Sequence, residues 1–122
     1  MKSIIVVDDD AAVRRIASRI LAEEGFHVLE ASDGDEAIQL AERHGPEVGL
    51  VVTDIVMPRL NGIELLERLS RIQPSVPVVL MSGYTSNELM GRALVAPCGI
   101  LRKPFAPEAL IGEVRRCLAT AA

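Results

Sequence analysis

Hydrophobic and polar positions follow a repeating two-part rhythm along this chain. Short apolar runs at residues 3–7, 27–30, 50–53, 77–81 and 99–102 alternate with longer stretches whose apolar residues recur every three or four positions. Most of the runs are too continuously apolar for strands with one wet face, and parallel strands covered on both faces read this way. Between them, Val13, Ile16, Ala17, Ile20 and Leu21 predict a first helix, with Asp10 as its N-cap and Gly25 just beyond its end. Ala37, Ile38, Leu40 and Ala41 predict a second over residues 33–44, stopped by Gly45-Pro46. A third follows Asn61, with Ile63, Leu66 and Leu69 on one face. A fourth, roughly residues 86–95, has a poor stripe and contains Gly91. The fifth, residues 107–118, carries Leu110, Ile111, Val114 and Leu118, and residues 119–122 read as its fraying end.

Strand and helix in strict alternation predict a doubly wound α/β domain: five parallel strands in a flavodoxin-like (βα)5 arrangement, with helices on both faces. The strand order 2-1-3-4-5 is adopted from that fold class rather than from any residue of this chain. In such a sheet all carboxyl ends lie on one edge, where ligands bind beside the topological switch point. Four of the five predicted strands are followed there by a reactive side chain: Asp8 and Asp9, then Asp54, Ser82 and Lys103. The adopted order sets the first pair beside Asp54. Strands 1 and 5 would stand ~14 Å apart at the usual ~4.8 Å spacing, a gap that a long lysine leaning inward largely covers.

Composition narrows the picture. The 122 residues suit one domain, 1–122. At 49% hydrophobic but only 2% aromatic, the core must be aliphatic. The net charge of −4, without a basic stripe, argues against direct nucleic-acid binding. The apolar start is cut short by three aspartates, too early for a signal-peptide core or a membrane span, so a soluble cytoplasmic protein is expected. Cys98 and Cys117 match no metal motif and are expected as two reduced thiols.

Chemistry enters through the acidic edge. Two unit charges ~4 Å apart repel by about 4 kcal/mol at an effective dielectric of ~20, so three carboxylates in one pocket must bind a cation, share protons or be heavily solvated. Oxygen-only ligands favour a hard ion such as Mg²⁺, which is commonly shared with phosphate. A carboxylate is also a nucleophile toward phosphorus, giving an acyl phosphate, and Ser82 and Lys103 supply the hydroxyl and cation that a phosphoryl group needs on its other side. Singly, each residue has a bland explanation as a cap, a turn former or a solvated charge. Jointly, at successive strand ends, they point to a phosphoryl site. His27 and His44 read as isolated exposed side chains, residues 64, 67, 68 and 71 as a solvated helix face, and Met57, Met81 and Met90 as packing.

The blocks Ile4-Ile5-Val6-Val7-Asp8-Asp9-Asp10, Val51-Val52-Thr53-Asp54-Ile55-Val56-Met57-Pro58-Arg59-Leu60-Asn61-Gly62, Val79-Leu80-Met81-Ser82-Gly83-Tyr84 and Arg102-Lys103-Pro104-Phe105 resemble, in order and spacing, a response-regulator receiver domain of two-component signalling. The resemblance spans essentially the whole chain. It implies Asp54 as phosphoacceptor and Asp8 and Asp9 as the acidic pair for Mg²⁺, with Asp9 favoured as direct ligand. The backbone carbonyl of Val56 completes the protein ligands. Ser82 becomes the switch hydroxyl and Lys103 the phosphoryl contact, with a cis bond before Pro104. The phosphodonor would be a histidine kinase, hybrid kinase or phosphotransfer protein, and the chain a signalling switch rather than an enzyme. The fourth helix, fifth strand and fifth helix would respond.

Two departures follow. The fifth-strand switch position, commonly aromatic in that family, is Ile100, and the segment 94–98 is atypical. Val56 and Tyr84, each two residues past a key side chain, would line the path of attacking water and slow phosphate loss. A homodimer through the fourth- and fifth-helix face is a further expectation, with Ile100, Leu101 and Cys117 near it. Two rivals remain. One is a haloacid-dehalogenase-like phosphatase using Asp8 and Asp10, which would leave Asp54 idle. The other is a receiver-like module that works by contact alone.

Overall fold

The computed structural model describes residues 2–83 and 87–121. In chain order the elements are β1 (Ser3–Val7), α1 (Ala11–Glu23), β2 (His27–Ala31), α2 (Gly34–His44), a 3-10 turn (Gly45–Glu47), β3 (Val48–Asp54), α3 (Gly62–Ile72), β4 (Val78–Ser82), α4 (Asn87–Met90), β5 (Gly99–Arg102) and α5 (Pro107–Ala121). All strand pairs are parallel and the order is 2-1-3-4-5, as expected.

Alternate residues of the central strands feed two aliphatic cores. Ile5, Val7, Val51 and Leu80 pack with Ala37, Ala41, Leu65 and Leu69 of α2 and α3. Ile4, Val6, Leu50, Val52 and Met81 pack with Ala17, Leu21, Leu110 and Val114 of α1 and α5. Burial on both faces explains the continuous apolar runs. The edge strands differ. In β2 and β5 some side chains face solvent, Ile100 among them at 46% exposed.

Several boundaries moved for identifiable reasons. β3 begins at Val48 rather than 50 because Gly49 sits inside the strand, where a Cβ would press on Lys2 and Leu118. β3 and β4 run on through Asp54 and Ser82, since backbone pairing (Asp54 with Met81, Ser82 with Arg102) continues past the last apolar side chain. The fourth helix is only four residues long among the described residues. Ser86 and Tyr84 lie outside them. α5 persists to Ala121 instead of fraying after Leu118.

Two further expectations are corrected. Cys98 and Cys117 form a disulfide, with Cα atoms 6.0 Å apart, because α5 folds back along β5 and brings together residues whose spacing in sequence carries no such signal. Leu101 and Cys117 are buried in the core, so neither belongs to a dimer face, which leaves Ile100. Of the histidines, His27 is exposed but bonded to the Ser3 hydroxyl at 2.7 Å, and His44 is partly buried.

Candidate functional site

The carboxyl edge is assembled by local rules. Asp8 directly follows β1 and is fully buried. Its Oδ1 accepts from the Asp10 amide at 2.9 Å, and its own amide donates to the Ala31 carbonyl at 3.2 Å. Asp10 caps α1, accepting from the Ala12 and Val13 amides. That contact gives Asp10 the structural role expected of it. Asp9, between them, is exposed.

Asp54 closes β3, and its Oδ1 accepts from the Ile55 amide at 2.9 Å. The loop after it is held by Gly62, whose amide donates to the Ile55 carbonyl at 2.8 Å. A Cβ on Gly62 would fall on the Asp54 carbonyl oxygen, so only glycine lets α3 start this close. Lys103 follows β5, with its amide bonded to the Ser82 carbonyl at 2.8 Å and a cis bond to Pro104, as the resemblance implied. Its ammonium crosses the sheet edge to Asp8 Oδ2 at 2.9 Å and Asp54 Oδ1 at 3.3 Å.

One carboxylate oxygen from each of Asp8, Asp9 and Asp54 lies within 4.8 Å of the others. Burial raises the Asp54 pKa and the Asp8 charge raises it further, outweighing the attraction of Lys103 and its hydrogen bonds from Lys103 and the Ile55 amide. Burial pulls Lys103 down, but the hydrogen bond to Asp8 and the two carboxylate charges outweigh it and raise its pKa. Asp54 is pushed toward protonation even with one ammonium beside it, so its surroundings lack positive charge. An all-oxygen donor set of this charge fits a hard divalent cation such as Mg²⁺.

Ser82 lies one residue past Met81, the residue paired with Asp54, and is buried at 5% exposure. Val56 sits two residues beyond Asp54, with its side chain exposed. Thus Asp8, Asp9, Asp54 and Lys103 come together, Ser82 and Val56 flank them, and Tyr84 lies outside the described residues.

Sequence reading missed Arg14. Its Nη1 donates to the Asp8 carbonyl at 2.9 Å and its Nε to Glu30 at 3.0 Å, with only 15% of the side chain exposed. It ties the acidic turn to the end of β2. The available signal was an arginine one turn into α1, which by itself looks like any surface charge.

With fold and geometry in place, comparisons agree. The family model for the response regulator receiver domain matches residues 4–115. The chain is 36% identical over 118 residues to the sensor kinase CckA of Brucella abortus, covering 95% of this chain and 12% of that protein. It is 34% identical over 115 residues to the transcriptional regulatory protein PdtaR of Mycobacterium tuberculosis, covering 93% of this chain and 55% of that protein. The receiver domain of NtrX from Brucella abortus superposes with a TM-score of 0.87 at 33% identity, covering 97% of this chain and 99% of that one. The chain therefore belongs to the response regulator receiver family, the signalling domains of two-component systems. It spans between an eighth and about half of these two longer relatives.

Proposed function

We propose that residues 1–122 act as a phosphoacceptor switch in which Asp54 takes a phosphoryl group from a histidine kinase, hybrid kinase or phosphotransfer protein. The observation that carries this is the convergence of Lys103 Nζ on Asp8 and Asp54 beside Asp9. An Asp54 oxygen attacks phosphorus, the bond to the donor nitrogen breaks, and the leaving imidazole takes up a proton. Lys103 turns from Asp54 toward the transferred group, while its bond to Asp8 keeps the ammonium at the edge. Ser82 supplies the hydroxyl on the same side.

Asp9, Asp54 and the Val56 carbonyl, with Asp8 behind them, would hold Mg²⁺. Asp8 is already engaged by Lys103 and the Asp10 amide, which leaves Asp9 as the freer ligand of the pair. The ion supplies charge neutralisation for the phosphoryl oxygens and the acceptor. Chemistry here is confined to the chain's own phosphorylation and its loss, so the protein is a switch and not an enzyme on outside substrates. We place it in the cytoplasm. No helix among the described residues is long and apolar enough to cross a membrane.

A protein donor needs a landing surface next to the acceptor. Ile16, 58% exposed on α1, forms with Val13, Pro104 and Phe105 an apolar patch that also borders Lys103. Ile16→Asp should slow transfer from a protein donor and leave labelling by a small phosphodonor unchanged. Equal slowing of both would remove the patch from donor recognition. The net charge of −4 gives direct nucleic-acid contact no support. On the α4–α5 side, the exposed Ile100 is the contact residue of the homodimer in this reading.

The deciding test is intact mass after incubation with Mg²⁺ and a small phosphodonor. Wild type should gain one phosphoryl group, and Asp54→Asn or added chelator should abolish the gain. An unlabelled wild type would favour the contact-only module. An adduct persisting in Asp54→Asn would move the acceptor elsewhere.

A further inference from the structure

The Cys98–Cys117 pair lies away from the acidic edge, and phosphoryl chemistry gives it no role. Cys98 is partly buried directly ahead of β5, and Cys117 is fully buried on the core face of α5. Their bond closes a ring, sequence separation 19, that contains β5, Lys103 and the first turns of α5. Immediately upstream, residues 91–98 form turns and bends rather than a regular element. Leu94 in that stretch is 88% exposed, its amide donates to Glu67 at 3.3 Å, and Ala93 and Val95 beside it are partly buried against the core. The stretch is anchored at its far end by the Cys98 amide on the Val78 carbonyl, at 2.8 Å, and by the disulfide.

We propose that Cys98 and Cys117 form a reversible redox modification site, exchanging with low-molecular-weight thiols and disulfides of the glutathione class, and that oxidation pins the segment ahead of β5 to α5. From the functional reading this takes only the intracellular placement, where protein disulfides are characteristically transient or redox-sensing. The local chemistry suits exchange. Arg116 Nη2 donates to the Cys98 carbonyl at 2.7 Å and lies 3.5 Å from Cys117 Sγ, and a cation beside sulfur favours the reactive thiolate.

Cys98, the more accessible sulfur, attacks the low-mass disulfide. A mixed disulfide forms and one small thiolate leaves, taking up a proton. Cys117 thiolate then attacks the Cys98 sulfur, the internal S–S bond forms, and the second small thiolate leaves and is protonated. Two protein thiols are oxidised and one small disulfide is reduced to two thiols. Reduction runs the same steps backward.

The test uses the unphosphorylated whole chain in mixtures of reduced and oxidised glutathione, so its outcome is independent of Asp54 chemistry. Alkylation followed by intact mass should find two free thiols under excess reduced glutathione. Under oxidised glutathione it should find none, on a monomer lighter by two hydrogens. Amide exchange across residues 91–101 should be several-fold slower in the oxidised form. Cys117→Ser should accumulate a stable glutathione adduct on Cys98, and Cys98→Ser should not form one on Cys117. A bond that resists excess reduced glutathione, a failure to form it, a crosslinked dimer, or oxidation without any change in exchange would each overturn the proposal.

Discussion

Lys103 and Asp8 form the tightest charge pair at the site, and their exposures differ sharply: 24% for the lysine side chain and none for the aspartate. Removing the cation strands a buried carboxylate. Lys103→Met should therefore cost about 3 kcal/mol of unfolding free energy without divalent ions, and millimolar Mg²⁺ should recover part of it. Denaturant titration with and without Mg²⁺ measures both. Asp54 works in the opposite sense. Its folded-state pKa is raised by burial and by Asp8, so the folded chain holds that proton more tightly than the unfolded chain. Stability is then lost as pH rises above the ordinary aspartate value. Asp54→Asn should melt a few degrees higher than wild type at neutral pH without metal, and the gap should close in acid. Lys103, also raised, adds stability that is present at neutral pH and lost only as pH climbs past the ordinary lysine value. Val56 is exposed two residues past Asp54, where we propose that it shields a bound phosphoryl group from water. Val56→Asn should speed phosphate loss several-fold in a decay assay by intact mass, and an unchanged rate would discard shielding by this residue.

Among the elements, α3 shows most directly how local sequence aims the site. Asn61 accepts from the Glu64 amide at 2.9 Å while Glu64 accepts from the Asn61 amide at 3.0 Å, a reciprocal cap that fixes the helix start. Glu64, read from sequence as part of a solvated face, thus has a structural task. Asn61→Ala should cost about 1 kcal/mol. Gly62→Ala should do more, because its Cβ would displace the Asp54 carbonyl. It should lower both melting temperature and phosphoryl uptake, whereas Asn61→Ala should lower stability with little effect on uptake. Gly112 is the contrast. It lies in α5 with open space where a Cβ would go, so Gly112→Ala should raise stability by about 0.5–1 kcal/mol. The short α4 is the element where local signals fail. Leu89, Met90, Ala93 and Val95 pack partly buried against the core, but Gly91 lowers helix propensity between them, and the chain from 91 to 98 runs as turns and bends.

At the scale of the molecule, the sheet divides labour. β1 and β3 are buried on both faces and lead into Asp8, Asp9 and Asp54, the proposed acceptor, while β5, at the edge, is half exposed and leads into Lys103. A phosphoryl group that draws Lys103 from Asp54 would be felt first along β5 and the stretch ahead of it. In the phosphorylated protein, amide exchange should change at residues 87–103 and remain unchanged in β1 and β3. A change confined to the core strands would reverse that assignment.

Alternation of short apolar runs with helical stripes was enough, from residues alone, to determine five strands, four of the five helices and a sheet covered on both faces, because burial selects side-chain chemistry position by position. The aspartates, serine and lysine were legible because reactive polar residues directly after apolar runs interrupt a pattern that burial would otherwise continue, and two of them, Asp8 and Ser82, are buried all the same. What the linear chain could not decide was which distant atoms meet. Strand order brings Lys103 Nζ to Asp8 and Asp54, α1 turns Arg14 onto the Asp8 carbonyl, and α5 returns Cys117 to Cys98. Each of these depends on crossovers that set distances between residues far apart in sequence, and a single chain's local pattern carries no record of those distances.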